Sequence, residues 1–382
     1  MSDPAASFFE RYDAFGPKRA GTSGDLDSAR WLADEVARIP GLDVSLDPVR
    51  FRRFVPGAAR LTSIEGSPIE GVPLFDGGLT GPEGVRGAIG PLGSDAPIGF
   101  AVMEPSMASL PGNAFARERA ASRHQAIVIA LTTREGGIAP LNAHDLDQPF
   151  GPPVLQVAGR DAARLSALCQ AAAPVQVVVD GGREDAVSHN VRAEWSGAAP
   201  ALLLLTPRTS WWTSTAERVG GIWAWHEALR ALASAPGRAR RVVGLATCGH
   251  ELGHIGAHHA FAREPDLAVD SSLVIHLGAN LGTATEPALT VRSNVEGLAA
   301  RLAHGLQSAG YPAQAITAVT GGKAGGEAHE IEQRGGRYVS LIGSNPWFHA
   351  PEDRWPMSLD RDRTVAIGSA VAALAVEMAQ SF

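Results

Sequence analysis

From His189 to the C-terminus, continuous apolar runs alternate with stretches of helical periodicity, and this alternation constrains the fold more than any other feature. Residues 201–205, 241–248, 273–277, 289–292 and 338–342 read as strands; residues 219–232, 251–263, 295–309 and 363–380 read as helices. Runs that are apolar throughout belong to strands buried on both faces, so the expected architecture is α/β: a mostly parallel central sheet flanked by helices. In such sheets ligands and catalytic groups collect at the carboxyl ends of the strands. Upstream, residues 29–39 place Trp31, Leu32, Val36 and Ile39 on one helical face after turn and cap residues 21–25, and residues 42–54 are strand-like.

Between about residues 61 and 185 the texture changes. Glycine and proline are dense and apolar runs are short, apart from strands at 126–131 and 175–179 and a helix at 161–171. A chain of 382 residues is long enough for two or three domains. The expected division is therefore a core of residues 1–59 and 188–382 and a small β-rich insert domain of residues 60–187. Forty acidic against 33 basic residues leave a net charge of −7, which argues against a nucleic-acid partner. No apolar run reaches the ~18 residues of a membrane span. The N-terminus lacks the basic start and apolar stretch of a signal peptide. Two cysteines are too few for a disulfide framework, so the expectation is a soluble, cytoplasmic protein of enzyme size.

The loudest local motif is Gly249-His250-Glu251-Leu252-Gly253-His254, which fits the H-E-x-x-H pattern of helical zinc proteases. In that chemistry two histidines one turn apart hold zinc and the glutamate is the base. The context opposes it. Residues 241–248 directly before read as a strand, which puts His250 in a strand-to-helix turn. The longer pattern wants a third histidine where Ala260 stands, and His259 is one residue out of phase.

A different resemblance covers nearly the whole chain in order. The strand, Gly-His-Glu-Leu-Gly and the helix with Gly256-Ala257 and Ala260-Phe261 resemble the Glu-Glu-Leu-Gly segment of the co-catalytic zinc aminopeptidases. That superfamily also holds glutamate carboxypeptidase, the transferrin receptor ectodomain and glutaminyl cyclase. Trp347-Phe348-His349-Ala350-Pro351-Glu352-Asp353 resembles its Tyr-His-Thr-Pro-x-Asp ending. Residues 326–336, with His329, resemble its Ser-Asp-His to Gly-Ile-Pro segment, and residues 21–36 its opening helix. Residues 151–154 through 188–191 resemble the end of a protease-associated domain and the return to the core. The resemblance implies a zinc-exopeptidase-like (phosphorylase/hydrolase-like) core with a protease-associated-type insert.

It also implies two zinc ions sharing an aspartate, and here that set is altered. The positions of one ion's private ligands fall on Pro207 and Gly278, neither of which can bind. The other ion's three positions fall on Glu217, Glu251 and His349, all with metal-binding side chains. The resemblance therefore implies a single zinc with an open place for water, as in glutaminyl cyclases. His250 stands where the family has its glutamate base; it is read as that base, with a role as a fourth ligand as the alternative. Arg208, beside a lost ligand, can fill the vacated charge position, pair with Glu217 or hold a substrate carboxylate. Trp211, Trp212, Trp347 and Phe348 flank the site loops as candidate substrate-binding walls.

The bland readings are these. His254, His258 and His259 are surface or helix-packing residues, His276 is divided between site and core, Cys248 is inert core, and Glu217 with Arg208 or Arg218 is a structural ion pair replacing the metals. The implied function is a single-metal amide or C–N bond hydrolase, aminopeptidase-like, acting on a small-molecule or short peptide-like substrate. The alternative is a metal-free relative serving as a binding or scaffold protein, or one with reassigned chemistry.

Overall fold

A computed structural model describes residues 3–63, 66–105, 113–132, 136–143, 146, 148–237 and 240–380. The strands are β1 (Asp43–Ser63), β2 (Ile69–Pro73), β3 (Val85–Pro91), β4 (Ile98–Met103), β5 (Ala126–Leu131), β6 (Val154–Ala158), β7 (Pro174–Trp195), β8 (Ala198–Pro207), β9 (Arg240–Thr247), β10 (Leu273–Leu277), β11 (Leu289–Ser293), β12 (Ile316–Thr320) and β13 (Tyr338–Gly343). The helices are α1 (Pro4–Asp13), α2 (Ser23–Ala37), α3 (Ala114–Ala121), α4 (Ala162–Gln170), α5 (Thr215–Ser234), α6 (Ile255–Arg263), α7 (Asp266–Val269), α8 (Leu298–Ser308), α9 (Ala328–Gln333) and α10 (Arg361–Gln380).

The central sheet runs β1-β7-β9-β8-β10-β13-β11-β12, with β9, β8, β10 and β13 mutually parallel. These four carry continuous apolar runs, and the runs themselves are buried because helices cover both faces. On one face Ile222, Trp225 and Leu229 of α5 and Ile367, Val371 and Leu374 of α10 form the larger core with Leu202, Leu204 and Ile275. On the other, Ala257 and Phe261 of α6 and Ile331 of α9 pack on Leu203, Val243 and Val274.

Two features differ from the sequence reading. The strands expected at 42–54 and 175–179 are ends of much longer strands, β1 of 21 residues and β7 of 22, paired antiparallel from Asp43↔Glu194 to Ser63↔Val175. Their middle stretches, such as residues 180–187, carry too little apolar content to announce a strand, but a two-stranded ribbon needs only paired backbones. The far halves of β1 and β7 then close a ring, β1-β2-β6-β5-β4-β3-β7, around a separate core that includes Leu61, Ile89, Ile98, Val128, Leu155 and Val177. The helix expected from residue 251 begins instead at Ile255, because Gly249 and Gly253 have φ of +65° and +77°.

Helix α5 lies unusually close to the chain beyond β10. A Cβ on Gly220 would sit 1.9 Å from the Leu281 carbonyl oxygen, and Asn280 N–H donates to the Glu217 carbonyl at 3.0 Å. The contact is backbone against backbone, so no side chain can rotate away. Gly220→Ala is expected to destabilise the fold by ~1–3 kcal/mol through overpacking, read as a lower denaturation midpoint at unchanged m-value. An unchanged midpoint would mean that α5 is free to shift.

Candidate active site

The carboxyl ends of β8, β9, β10 and β13 lie side by side, and the segments leaving them build the site. The turn after β9 is fastened at both ends by Asn190 of β7. Its Oδ1 accepts from the Cys248 N–H (3.0 Å) and its Nδ2 donates to the Gly256 carbonyl (2.9 Å). From outside the central sheet, Ala143 N–H donates to the Glu251 carbonyl at 2.8 Å. The turn sends its side chains two ways: Glu251 inward, where only 2% of it is exposed, and His250 and His254 into a cavity.

The inward set is a buried ion cluster. Arg218, fully enclosed, donates from Nη2 to Glu251 Oε1 (2.6 Å), pairs through the same nitrogen with Glu217 Oε1 (2.8 Å), and donates from Nε to the Thr209 carbonyl (2.7 Å). Thr209 Oγ1 donates to the other Glu251 oxygen at 3.0 Å. Burial opposes the Arg218 charge, but Glu217 and Glu251 outweigh it and raise its pKa further. His349 Nδ1 donates to the Pro140 carbonyl (2.6 Å), and its Nε2, without a hydrogen-bond partner, lies 3.5 Å from Glu217 Oε1. Burial, reinforced by the Arg218 charge, pushes the His349 pKa down to about 3, so this imidazole is neutral. Asp353 closes the cluster from beneath by accepting the Ala216 and Glu217 N–H groups at the start of α5.

The outward set meets a cavity of about 920 Å³ through His250, His254 and Glu330. His250 Nδ1 donates to Glu327 Oε1 at 2.9 Å, and one ligand atom each from His250, His254 and Glu327 falls within 4.8 Å of the others. Beneath them, His276 Nε2 reaches Glu327 Oε2 (3.3 Å) and Thr247 Oγ1 donates to Oε1 (3.2 Å). Burial works against a charge on Glu327, but the His250 charge and the hydrogen bonds from His250 and His276 outweigh it and hold its pKa well below the usual range. His254 Nδ1 donates to Glu330 Oε1 (3.3 Å), and Arg334 holds the other Glu330 oxygen (2.8 Å). Despite partial burial these partners bring the Glu330 pKa down to about 2. Among the described residues five non-glycine positions have positive φ, and four of them, Ser214, His254, Asn280 and His349, belong to these loops. Backbone in so unfavourable a region persists where the surroundings impose it, as they do around sites.

Glu217, Glu251 and His349, expected to hold a metal, are thus brought together, with Arg218 as their cation. Arg208 goes elsewhere. It pairs with Asp25 at 2.7 Å and donates to the His189 carbonyl, 2% exposed, and does not line the cavity. Trp211 packs edge-on against Phe75 at 4.8 Å and, with Trp212, belongs to an apolar cluster with Phe54 and Leu252. Phe348 lines the cavity and stacks on His349, whereas Trp347 does not line it. Glu104, Thr132 and Asn142, from the stretch between β4 and β6, also line the cavity. Sequence reasoning missed Glu327 altogether and set His254 aside. The available signal was a carboxylate directly after Gly325-Gly326 at the start of a short helix, within the segment already compared with a site loop of the zinc aminopeptidases.

No family model and no curated protein matches the chain. Solved structures do. A peptidase M28 precursor from Shewanella amazonensis superposes with a TM-score of 0.79 at 16% identity, covering 100% of this chain and 94% of that one. A zinc aminopeptidase from Bacillus subtilis gives 0.74 at 18% identity over 97% of this chain and 93% of its own. An aminopeptidase from an Aneurinibacillus strain gives 0.69 at 18% identity over 96% and 93%. The fold is therefore that of the zinc exopeptidases. Two zinc ions do not fit the buried set, because Arg218 Nη2 already pairs with both Glu217 and Glu251. Pro207 and Gly278 add no donor.

Proposed function

We propose, with the zinc-aminopeptidase fold as the premise, that this chain is a hydrolase of amide or other C–N bonds that uses one zinc ion and acts on a small aminoacyl-like or short peptide-like substrate. The observation that carries this reading is the cavity of about 920 Å³ at the carboxyl edge of the sheet, lined by His250 and His254, with the buried Glu327 carboxylate hydrogen-bonded behind His250. Asn280 offers a side-chain amide on the wall, Phe348 gives an apolar face, and Asn142 and Glu104 bring the insert to the cavity. A zinc ion held there would supply Lewis-acid activation of the attacking water. We take the insert, residues 60–187, to be a protease-associated-type lobe that shapes access and leaves catalysis to the core.

Arg218 favours a second reading. A protein whose ancestral metal position is filled by its own guanidinium can also be a metal-free binding relative. Protein purified without chelators and assayed against a panel of aminoacyl anilides, dipeptides and N-acyl amino acids separates the two. Turnover removed by chelator and restored by zinc supports the hydrolase. Saturable binding of such compounds without turnover of any amide would favour the binding protein instead.

A further inference from the structure

We infer that the metal centre of this chain has moved out of the buried cluster into the cavity, where His250, His254 and Glu327 form a three-ligand site for one divalent ion of the zinc class. This deepens the reading above by giving the ion a place, and rests on it only for the chemistry the ion performs.

Three independent features support the assignment. First, the ligand set is chemically apt: two imidazoles and one carboxylate converge, one ligand atom from each lying within 4.8 Å of the others, and a bound ion would take the place of the proton that His250 Nδ1 now gives to Glu327 Oε1. The fourth direction opens on the cavity through the two histidines that line it, whose side chains are 11% and 13% exposed, while the fully buried Glu327 backs the site. Second, the ligands are oriented from outside as metal ligands are. Glu330 holds His254 by Nδ1 and is itself held by Arg334, which leaves His254 Nε2 as the coordinating atom. His276 and Thr247 fix the Glu327 carboxylate, and Ser340 Oγ contacts His276 Nδ1 at 2.8 Å to fix that ring in turn. Third, the older position is closed. Arg218 supplies there the positive charge an ion would bring, so Glu217 and Glu251 do not compete for it.

The arrangement is not that of a helical H-E-x-x-H protease, although it uses both histidines of the motif. The motif's glutamate, Glu251, is bonded to Arg218 and Thr209 and cannot reach the cavity; the third ligand comes from Glu327, more than seventy residues on in the chain.

Metal content of full-length protein, measured by elemental analysis after zinc loading and gel filtration, tests the assignment, with cobalt substitution reporting coordination by its visible spectrum. One equivalent is expected in the wild type. His254→Ala and Glu327→Gln are expected to lower affinity at least ~10²-fold, by loss of a ligand, while His349→Ala keeps the equivalent. His254→Asn, at a position on the cavity wall, repeats the test with a smaller packing change. Loss of metal in His349→Ala with retention in both His254 variants would return the ion to the buried cluster and overturn the assignment. Absence of bound zinc or cobalt in the wild type would overturn it as well. A wild type that holds the ion but cleaves no amide leaves the site standing and removes only the hydrolase; cleavage by metal-free protein does the reverse.

Discussion

Arg218→Ala is expected to lower stability by ~3–5 kcal/mol, the largest single-residue effect on folding that the structure foresees. The guanidinium is fully buried, and its removal strands Glu217 and Glu251, the latter held against Thr209, with no counter-charge and little water. Arg218→Lys should recover part of the loss. An ammonium keeps the charge but cannot bridge two carboxylates and the Thr209 carbonyl with one planar fork. The vacated space leaves two carboxylates facing the bare Nε2 of a neutral His349, a set that can take a cation. Zinc should therefore raise the denaturation midpoint of Arg218→Ala by linkage, and do so much less when His349 is also changed to Ala. A variant as stable as the wild type, or indifferent to zinc, would show that the cluster does not need a cation and that Arg218 is not standing in for one.

His250→Ala should lower turnover on the best amide substrate by ~10²–10⁴ while leaving the fold intact. His250 is a cavity-wall residue whose polar contact is to Glu327, and α6 packs through Ala257, Ala260 and Phe261, not through it. Its loss also unpairs one side of Glu327, though His276 and Thr247 continue to hold that carboxylate. The variant should therefore lose zinc together with activity, which distinguishes a ligand from a base that leaves metal content unchanged. Unaltered turnover would remove His250 from the chemistry and send the search to the other polar residues of the cavity.

The α/β class was legible in the sequence because strands buried on both faces are apolar throughout, and β8, β9, β10 and β13 show themselves as such runs. The ribbon of β1 and β7 was legible only at its ends, since backbone pairing asks nothing of the side chains in its exposed middle. The loops at the sheet's carboxyl edge were legible too, because Glu217, His250-Glu251 and His349 each follow one of those strands in the sequence. What each side chain does there was not. Arg218 follows Glu217 directly in sequence, and nothing local says whether it points to water or folds back between two carboxylates; the packing of α5 against the chain beyond β10 decides that. Likewise two glycines and a left-handed His254 turn a helical-looking motif into a loop, and only the loop lets both histidines meet a glutamate from α9's leading edge. Residue types and apolar period are properties of the chain and fix class and candidates, whereas charge pairing depends on a few ångströms of tertiary placement that no local pattern encodes.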